Sequence, residues 1–285
     1  MPTCGKNRRM EQLEGKVAVV TGAASGIGQA LCVELARAGS TIIAADVDAA
    51  GLDDTLVAVH SAGCRAVAVR TDVRRADDMV QLADHVDAEF GGTDLLCLNA
   101  GVFRGGLLWE SPIEDWDWVF SVNVFGIVNG IRAFVPRMIE RGTPAHIEIT
   151  SSRAGLVATG RSGVYTVSKF AAFAIAEVLA NDLLASGAPI GVSVLCPSAV
   201  ATRIGESERN REGIRPDVDS ATAIESILVD FCGNGLAPEE VAPGIVEGIR
   251  RGDFVIPTRE SMSEFVRVRS EALQRKELPP FQMFD

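Results

Sequence analysis

Two side chains near the middle of the sequence have the types and the spacing needed for proton transfer. Tyr165 and Lys169 are four residues apart at the start of a strongly apolar segment whose pattern predicts a helix. A spacing of four places both side chains on one helix face. Because a nearby ammonium favours the phenolate, we expect Lys169 to lower the pKa of Tyr165 and to make it an acid/base nearer to neutral pH.

The same spacing also fits an ordinary half-buried tyrosine beside a solvated lysine. Tyr165 is the only tyrosine in the 285-residue chain, which makes the pair worth following. The spacing indicates catalysis only if the same chain also provides a cofactor site and further polar side chains around the phenol.

A glycine-rich segment near the N-terminus has the pattern of a phosphate-binding loop. Residues 17–20 form a short, β-branched, apolar run of the kind expected for a buried parallel strand. Gly22, Gly26 and Gly28 follow, and helical apolar spacing continues to residue 38. Glycines allow the backbone to approach a pyrophosphate, whose charge then lies at the helix N-terminus. Strand, glycine loop and helix together predict dinucleotide binding.

A carboxylate follows the next predicted strand, residues 41–45, at a position suited to the ribose of such a cofactor. Asp46 lies 18 residues after Gly28, near the place from which an acidic residue hydrogen-bonds an adenosine ribose 2′-hydroxyl. Capping of the following helix is the alternative role for Asp46. No arginine or lysine occupies positions 24, 25 or 47, where it could neutralise a 2′-phosphate. The sequence therefore favours NAD over NADP as the cofactor.

The rest of the chain alternates predicted strands with predicted helices. Further strands are predicted at 66–70, 94–98, 146–150, 190–196 and 253–256. Helices are predicted at 49–62, 76–90, 111–141, 165–186 and 238–251, and from 260 onward. Repeated β-α-β units predict an α/β fold with a doubly wound parallel sheet (Rossmann fold) of about seven strands and helices on both faces. We expect residues 1–285 to form a single domain.

The segments outside this alternation also carry expectations. Residues 111–114 fit a capping box, with Ser111 at the N-cap and proline in the first turn of a long helix. Residues 1–14 form a polar N-terminal arm, and residues 258–285 form a helical C-terminal tail. Residues 203–235 are charged and irregular, which predicts a substrate-binding lid with short helices.

Composition and charge argue against several classes of function. The formal net charge is −11 and no extended cluster of basic residues occurs, so nucleic acid is not an expected partner. The six cysteines and three histidines lack the spacing of metal ligands or of a disulfide framework, so no metal is expected. No apolar run approaches the length of a membrane span, and the N-terminus is polar. We therefore expect a cytoplasmic protein without a membrane partner.

Taken in chain order, these residues resemble the short-chain dehydrogenase/reductase family in its common single-domain form. Each motif is weak alone, whereas the ordered set across residues 21–202 is specific. The matching motifs are TGxxxGxG beginning at Thr21, Asp72, Asn99-Ala100-Gly101, Asn123, Ser152 placed 13 residues before Tyr165, and Tyr165-x-x-x-Lys169. Two positions depart from the family pattern: Leu98 replaces a frequent asparagine, and Ser198 replaces the glycine that usually follows Pro197.

The resemblance implies a role for each matching residue. Tyr165 would be the general acid/base on the substrate oxygen, Ser152 would orient that oxygen, and Lys169 would bind the nicotinamide ribose. Asn123 would hold a water of the proton relay, and the spacing of 13 selects Ser152 rather than Ser151. The residues expected to bind the cofactor are Gly22, Ser25, Gly26, Ile27, Gly28, Asp46, Asp72, Val73, Asn99, Ala100, Gly101, Tyr165, Lys169, Pro197, Val200 and Thr202.

These roles imply an NAD-dependent oxidoreductase that interconverts a secondary alcohol and a ketone by hydride transfer. A catalytically inactive dinucleotide-binding sensor or scaffold of the same fold is the alternative. The substrate is expected to contact Phe103, Arg104, Arg153, Leu156 and Val157 and to be bulky, apolar or aromatic. Either arginine could meet an acidic group, or it could lie on the surface. Oligomers are usual in the family, so a homodimer or homotetramer is expected.

Overall fold

Seven short apolar runs form the strands of one parallel sheet. The computed structural model describes residues 7–211 and 219–280. The strands are β1 (Val17–Thr21), β2 (Thr41–Asp46), β3 (Ala66–Arg70), β4 (Leu95–Leu98), β5 (Ala145–Thr150), β6 (Ile190–Cys196) and β7 (Val255–Pro257). They lie in the order β3-β2-β1-β4-β5-β6-β7, and every neighbouring pair is parallel. Because helices cover both faces of such a sheet, β1 and β4 are almost continuous apolar runs, whereas β5 alternates apolar residues with the buried polar residues His146, Glu148 and Thr150.

Helices connect the strands and cover both faces of the sheet. They are α1 (Gly26–Arg37), α2 (Ala49–Ser61), α3 (Ala76–Phe90), α4 (Ile113–Phe120), α5 (Gly126–Arg141), α6 (Gly163–Ser186), α7 (Asp219–Gly233), α8 (Pro238–Arg251) and α9 (Met262–Gln274). One core layer contains side chains of α3, α5 and α6, and the other contains side chains of α1, α2 and α8. The predicted doubly wound fold with seven strands is confirmed.

The strand order determines where a ligand can bind. The chain runs outward from β1 to β3 and then returns to the other side of β1, so the connections diverge between β1 and β4. In open parallel sheets of this kind, ligands bind at the carboxyl ends of the strands beside this reversal. The glycine loop, Asp46, Asn99, Ser152 and Pro197 all follow directly on strand ends and therefore share that edge.

The long helix predicted for residues 111–141 differs from expectation at its start and in its middle. Pro112, with extended backbone angles, is the N-cap, and no side chain caps the first turn. The Ser111 hydroxyl instead donates to the Leu107 carbonyl at 3.0 Å. The capping box is therefore wrong, because Ser111 precedes the cap and its hydroxyl bonds backward. Between α4 and α5 one π-helical turn, Ser121–Phe125, contains Asn123, a feature that occurs frequently at functional sites.

The segments predicted to be an arm, a lid and a tail are more ordered than their compositions suggested. From residue 7 onward the arm packs on the sheet: Asn7 exchanges hydrogen bonds with the main chain of Val192 at 2.7 and 3.0 Å, and Leu13 is buried. The lid segment contains a 3₁₀ segment, Arg203–Asn210, followed by α7. The tail contains α9. Residues 1–6, 212–218 and 281–285 lie outside the described residues.

Two helical stretches of the described chain, Ile113–Arg141 and Gly163–Ser186, are long and apolar enough to cross a membrane by length and composition. The expectation that the sequence has no such stretch is therefore wrong. A helix that packs on a sheet passes the same test, and Phe134 and Ala176 of these helices lie in the sheet's core. The five described cysteines, Cys32, Cys64, Cys97, Cys196 and Cys232, are all free thiols.

Candidate active site

A cleft of about 260 Å³ opens at the carboxyl ends of the central strands. It is lined by the glycine loop on one side and by the first turn of α6 on the other. Of the residues expected to bind a cofactor, the cleft surface includes all but one, Gly28. The cleft lies where the strand connections diverge, as the fold predicts.

The glycine loop forms a cradle that side chains could not occupy. Gly22 and Gly26 have φ angles of +68° and +57°, in the left-handed region that favours glycine. A Cβ atom on Gly28 would lie 2.1 Å from the Gly22 carbonyl oxygen, so a larger residue would push the loop off α1. Ser25 is the N-cap of α1 but makes no side-chain hydrogen bond. The first N–H groups of the helix are therefore available to an anion, which fits a pyrophosphate.

Asp46 ends β2 at the far side of the loop, and its carboxylate is held by the main chain. Oδ2 accepts a hydrogen bond from Ala24 N at 3.1 Å, and Oδ1 accepts one from Asp48 N at 3.0 Å. The N-cap of α2 is Asp48, whose side chain accepts from Gly51 N. The alternative role of Asp46 as the cap of α2 is therefore wrong. Asp46 lines the cleft at the position expected for a ribose ligand.

Asp72 and Val73 line the cleft beyond Asp46, after the end of β3. The Asp72 carboxylate forms an ion pair with Arg74 in which Nη2 and Oδ2 are 2.7 Å apart. Burial acts to raise the pKa of Asp72, but hydrogen bonds from Arg74 outweigh it and hold that pKa below its usual value. The carboxylate therefore stays ionised and oriented beside the cleft.

Asn99 joins the end of β4 to the glycine loop. Its main-chain N–H donates to Thr21 Oγ1 at 3.0 Å, and its Nδ2 donates to the carbonyls of Thr21 and Gly22 at 3.1 and 3.3 Å. Ala100 N also donates to Thr21 Oγ1, at 3.2 Å. These bonds hold the segment from Asn99 to Gly101 against the loop, and all three residues line the cleft.

Ser152 and Tyr165 meet across the cleft. The Ser152 hydroxyl lies where it can act as a hydrogen-bond donor to the Tyr165 phenol and so lower the pKa of that phenol, and it accepts a hydrogen bond from Ala154 N at 3.1 Å. Ser151 points elsewhere, and its hydroxyl donates to the Lys169 carbonyl at 2.7 Å. The geometry therefore agrees with the spacing argument in pairing Ser152, not Ser151, with the phenol.

Lys169 lies one helical turn after Tyr165 and is buried at the base of the cleft. Its Nζ donates to the Thr150 carbonyl at 3.0 Å and lies 5.7 Å from the centre of the Tyr165 ring. Burial lowers the pKa of Lys169 to about 8, although the nearby Glu148 carboxyl opposes that shift. Lys169 can therefore lose or keep its proton close to neutral pH.

The pKa of Tyr165 shifts in the direction opposite to the one expected from the sequence. Burial raises it to about 12, and the hydrogen bond with Ser152 opposes that rise only in part. The expectation that Lys169 would lower this pKa is therefore wrong. The physical reason is that removing the phenolate from water costs more free energy than the Lys169 ammonium, which is directed at the Thr150 carbonyl, can offset.

Asn123 is completely buried, and its amide holds main chain in place. Oδ1 accepts from Val102 N at 2.8 Å, and Nδ2 donates to Val102 O and to Ser168 Oγ, both at 2.9 Å. The Ser168 hydroxyl in turn donates to the Tyr165 carbonyl at 2.7 Å. Asn123 thus connects the segment after β4 to the helix that carries Tyr165. Its role in a proton relay stays a prediction.

The segment after β6 closes the cleft over the glycine loop. Pro197, Val200 and Thr202 all line the cleft. A Cβ atom on Gly26 would lie 2.9 Å from Thr202 Cγ2, so this threonine sits directly over the loop. Ser198, the departure from the family pattern, donates its main-chain N–H to Thr258 Oγ1 at 2.9 Å. That bond ties the turn to the residue after β7.

Only two of the five residues expected to contact substrate line the cleft. Phe103 lies against the Tyr165 ring, and Arg153 lies below the Phe265 ring, 5.3 Å from its centre. Leu156 and Val157 pack into or beside the core and are absent from the cleft surface. The expectation for these two residues is wrong because the 3₁₀ turn Arg153–Gly155 directs the chain after it away from the cleft.

Arg104 is also wrongly predicted to contact substrate or lie on the surface. Its side chain is 3% exposed and forms ion pairs with Asp115 at 2.9 Å, with Glu225 at 2.7 Å and with Glu208 at 3.2 Å. Asp115 also pairs with Arg211 at 2.6 Å. This buried network, which we call the lid clamp, joins the segment after β4 and α4 to the lid segment and α7.

Several cleft residues could not be anticipated from the sequence motifs. The apolar ones come chiefly from α4, the π-helical turn, the lid segment and α7. They include Trp118, Val122, Ile204, Leu228, Phe231 and Cys232, and the polar ones include Thr159. The recurrence of apolar residues at 224, 228 and 232 is the signal that could have found the α7 contribution, because it marks one face of a helix.

Comparison with known proteins places this site in a family. The model of the short chain dehydrogenase family matches residues 16–213. The 1-deoxy-11-beta-hydroxypentalenate dehydrogenase of Streptomyces exfoliatus is 43% identical over 192 residues, which cover 67% of this chain and 69% of that protein. The probable oxidoreductase EphD of Mycobacterium tuberculosis is 33% identical over 247 residues; the match covers 84% of this chain and 40% of EphD.

A solved structure agrees over nearly the whole chain. The short chain dehydrogenase/reductase from Burkholderia phymatum, in complex with NAD, superposes with a TM-score of 0.92 and 38% sequence identity. The match covers 96% of this chain and 99% of that one. The family match, the fold and a glycine loop that fits a dinucleotide all agree. The chain is therefore an oxidoreductase that belongs to the short-chain dehydrogenase/reductase family.

Proposed function

We propose that this protein is an NAD-dependent dehydrogenase that interconverts a secondary alcohol and a ketone. The observation that carries the proposal is that Ser152, Tyr165 and Lys169 line one cleft together with the glycine loop, with Ser152 placed to act on the Tyr165 phenol. A bound nicotinamide cofactor would accept hydride from the alcohol carbon or supply it to the ketone. Gly22, Ser25 and Gly26 would hold its pyrophosphate at the N-terminus of α1.

The chain's own residues would position the substrate oxygen and move its proton. Ser152 accepts a hydrogen bond from Ala154 N, so its hydroxyl proton remains free for the phenol or for the substrate oxygen. With a pKa of about 12, Tyr165 is protonated at neutral pH and suited to donate a proton to a ketone oxygen. In the oxidative direction Tyr165 would first have to release its phenol proton to solvent before it could receive the hydroxyl proton, and the positive charge of an oxidised nicotinamide ring beside it would favour that phenolate.

Lys169 would support both the acid/base residue and the cofactor. Its buried Nζ stays fixed because the Thr150 carbonyl accepts one of its three protons. Lys169 lines the cleft together with Tyr165, so its other two N–H donors could serve a nicotinamide ribose bound there. A pKa of about 8 lets Lys169 exchange a proton with its surroundings near neutral pH.

The preference for NAD over NADP rests on Asp46. Its carboxylate faces the cleft and would hydrogen-bond a ribose 2′-hydroxyl, whereas it would repel a 2′-phosphate. Five arginines also line the cleft, at positions 70, 74, 153, 203 and 209. Arg74 is paired with Asp72, and Arg209 donates Nη1 to the carbonyls of Arg203 and Glu206. The similar Burkholderia phymatum structure holds NAD, which supports the same preference.

A bulky and largely apolar alcohol is the substrate class that best fits the wall of the cleft. Phe103, Trp118, Leu228 and Phe231 surround the space in front of Tyr165. Removal of such apolar surface from water favours binding of an apolar ligand. Residues 203–235 would act as the lid, because Leu228 and Phe231 come from that segment. The similarity to a hydroxypentalenate dehydrogenase supports an alcohol or ketone substrate.

The decisive experiment is a panel of aryl and alicyclic secondary alcohols and their ketones, tested with NAD(H) and NADP(H). We expect NADH formation with a bulky member of the panel and little activity with NADP. Tyr165→Phe should lower kcat at least about 100-fold while leaving NADH binding nearly unchanged. Ser152→Ala should likewise lower kcat, whereas the matched variant Ser151→Ala removes only a bond to the Lys169 carbonyl and should chiefly lower stability.

The same panel distinguishes the alternative function. Tight NADH binding without turnover of any alcohol or ketone would favour an inactive sensor or scaffold. Substantial turnover by Tyr165→Phe would reject Tyr165 as the acid/base. Comparable catalytic efficiency with NADP would reject the cofactor preference while leaving the reaction class in place.

We also propose that the protein forms a homo-oligomer. Large apolar side chains are exposed along the two longest helical stretches, among them Ile113, Phe125 and Val178, which are 65%, 56% and 59% exposed. Burial of such residues between copies would stabilise a dimer or tetramer. Size-exclusion chromatography with light scattering should show two or four chains per particle, and a monomer at all concentrations would reject the proposal.

A further inference from the structure

Thr150, the last residue of β5, connects the cofactor side of the cleft to its catalytic side. Its carbonyl accepts the hydrogen bond from Lys169 Nζ at 3.0 Å. Its hydroxyl lies 3.2 Å from Asn99 Oδ1 and 2.9 Å from Glu148 Oε1. Neither the motifs nor the proposed mechanism gives Glu148 a role, although this carboxyl completes the junction.

The balance of hydrogen-bond donors and acceptors around the Thr150 hydroxyl indicates whether Glu148 is protonated. Asn99 donates from Nδ2 to the carbonyls of Thr21 and Gly22, so its Oδ1 is the atom that faces Thr150. Oδ1 can only accept a hydrogen bond, and the Thr150 hydroxyl has a single proton to donate. An ionised Glu148 would also only accept. Both short contacts are therefore satisfied together when Glu148 carries a proton and donates it to Thr150 Oγ1.

The surroundings of Glu148 favour that protonated form. The residue is 0% exposed, and its Oε2 is buried without a hydrogen-bond partner. Burial raises the pKa of Glu148 to about 7, opposed by the Thr150 hydrogen bond and by the charge of Lys169. An uncharged carboxylic acid costs far less to bury than a carboxylate with one unpaired oxygen.

Within the described part of the chain, Lys169 is the cation that acts on Glu148, and the other titratable groups around this carboxyl are thiols and a histidine. Cys97 on β4 and Cys196 on β6 are thiols whose pKa values are raised by burial and by Glu148. His146, two residues earlier on the same strand, has a pKa lowered by burial to about 3 and is neutral. Lys169 on α6 is therefore the positive group that acts on Glu148 among these neighbours.

We propose that Glu148 is a positioning residue: in its protonated form it donates to Thr150, which then donates to Asn99 and holds Asn99 against the glycine loop. Loss of the Glu148 proton makes the carboxylate compete with Asn99 for the Thr150 proton. Asn99 then loses this one hydrogen bond while it keeps those to Thr21 and Gly22, and its side chain is held less firmly. The glycine loop then binds the dinucleotide less tightly. This inference rests on the proposed dinucleotide binding, and it adds a residue that does not touch the cofactor.

The proposal predicts a direction for the dependence of cofactor affinity on pH. Affinity for NADH should be highest when Glu148 is protonated and should fall as the pH rises through about 7. Loss of one well-placed hydrogen bond corresponds to about a tenfold increase in Kd. The Thr150 carbonyl, which holds Lys169, belongs to the same residue, so Lys169 stays in place while the bond to Asn99 changes.

The test measures NADH affinity by fluorescence titration from about pH 6 to about pH 8, across the window in which Glu148 loses its proton. The variants are Glu148→Gln, which keeps a permanent donor of the same shape, and Glu148→Met, which has none. Wild-type Kd should rise about tenfold with pH, the Gln variant should keep the low-pH affinity throughout, and the Met variant should bind weakly at every pH. His146→Leu, which removes a buried polar group of the same strand, is the control and should keep the wild-type pH dependence.

A second readout requires no cofactor. The infrared spectrum of the wild type at about pH 6 should contain the carbonyl stretch of a protonated carboxylic acid that is absent from Glu148→Gln and that disappears as Glu148 ionises. Absence of that band would overturn the proposal, as would a Gln variant that binds NADH as weakly as the Met variant or that retains the wild-type pH dependence. If the wild type bound neither NADH nor NADPH, the proposed function would fail, and the infrared band would still decide the protonation of Glu148.

Discussion

The ring of Phe103 packs against the ring of Tyr165, with centroids 4.9 Å apart and planes tilted by 54°. Phe103 is also buried among Ile224, Leu228 and Cys232 of the lid segment's helix, α7. One side chain therefore contacts both the proposed acid/base residue and the proposed lid. A tilted aromatic pair of this kind stabilises the position of the phenol beyond simple burial.

Truncation of Phe103 should disturb the phenol and the lid together. Phe103→Ala leaves a cavity and should destabilise the protein by about 3–5 kcal/mol, with a higher KM for apolar alcohols. Phe103→Leu retains most of the volume and should cost less than about 1.5 kcal/mol. Thermal unfolding and steady-state kinetics of both variants check this. An unchanged KM in Phe103→Ala would show that α7 does not depend on this contact for substrate binding.

Breaking the lid clamp should be strongly destabilising. Arg104→Met leaves the buried Asp115 carboxylate with Arg211 alone and Glu225 without its arginine, which should cost about 3–5 kcal/mol. Chemical denaturation measures the loss of stability. Arg267→Ala, on the exposed face of α9, breaks two surface ion pairs and should leave stability almost unchanged. Equal effects of the two substitutions would contradict the importance of burial in the clamp.

Replacement of Asp46 should weaken discrimination against NADP. A carboxylate about 4 Å from a 2′-phosphate at an effective dielectric of about 20 opposes binding by about 4 kcal/mol. Asp46→Ser should therefore reduce the NAD-to-NADP ratio of kcat/KM at least about 100-fold. Asp48→Ser is the matched control, because Asp48 caps α2 and serine preserves that cap. A preference for NAD that survives Asp46→Ser would assign the discrimination to other residues.

Buried His146 should make the protein less stable in mild acid. Ser193 donates its hydroxyl proton to the Asp253 carbonyl, so His146 Nε2 donates to Ser193 Oγ and the ring is neutral. Its folded pKa of about 3 is below the ordinary histidine value of 6.5, so the unfolded state binds more protons and stability falls as the pH drops below about 6.5. At about pH 5 the loss should be about 2 kcal/mol relative to pH 8.

The contribution of Glu148 has the opposite sign and must be separated from that of His146. Its folded pKa of about 7 exceeds the ordinary glutamate value of 4.5, so the folded state binds more protons and this contribution is lost as the pH rises from about 4.5 to 7. Chemical denaturation of the Glu148→Gln variant, with and without His146→Gln, measures the part of the pH dependence of stability that comes from the histidine. If the acid destabilisation were the same with and without His146, this assignment would be incorrect.

The local pattern of the sequence was sufficient for the fold and for the edge of the sheet that carries the site. Short apolar runs that alternate with helical segments can bury both faces only as a doubly wound parallel sheet. In such a sheet all strands end on one edge, so Gly22, Asp46, Asn99, Ser152 and the segment after β6 had to converge there. Their cleft positions follow from chain order and strand direction, which are local properties.

Tertiary structure alone decided the electrostatics and the wall of the site. The direction of the Tyr165 pKa shift, the pairing of Arg104 with Glu225 and the electrostatic effect of Lys169 on Glu148 each depend on burial or on groups distant in sequence. Leu156 and Val157 missed the cleft because one 3₁₀ turn redirected the chain. The periodicity of the sequence shows which residues are apolar, but it does not show which charged side chains are buried next to one another. For such buried groups the cost of desolvation outweighs the charge attraction expected from residue spacing.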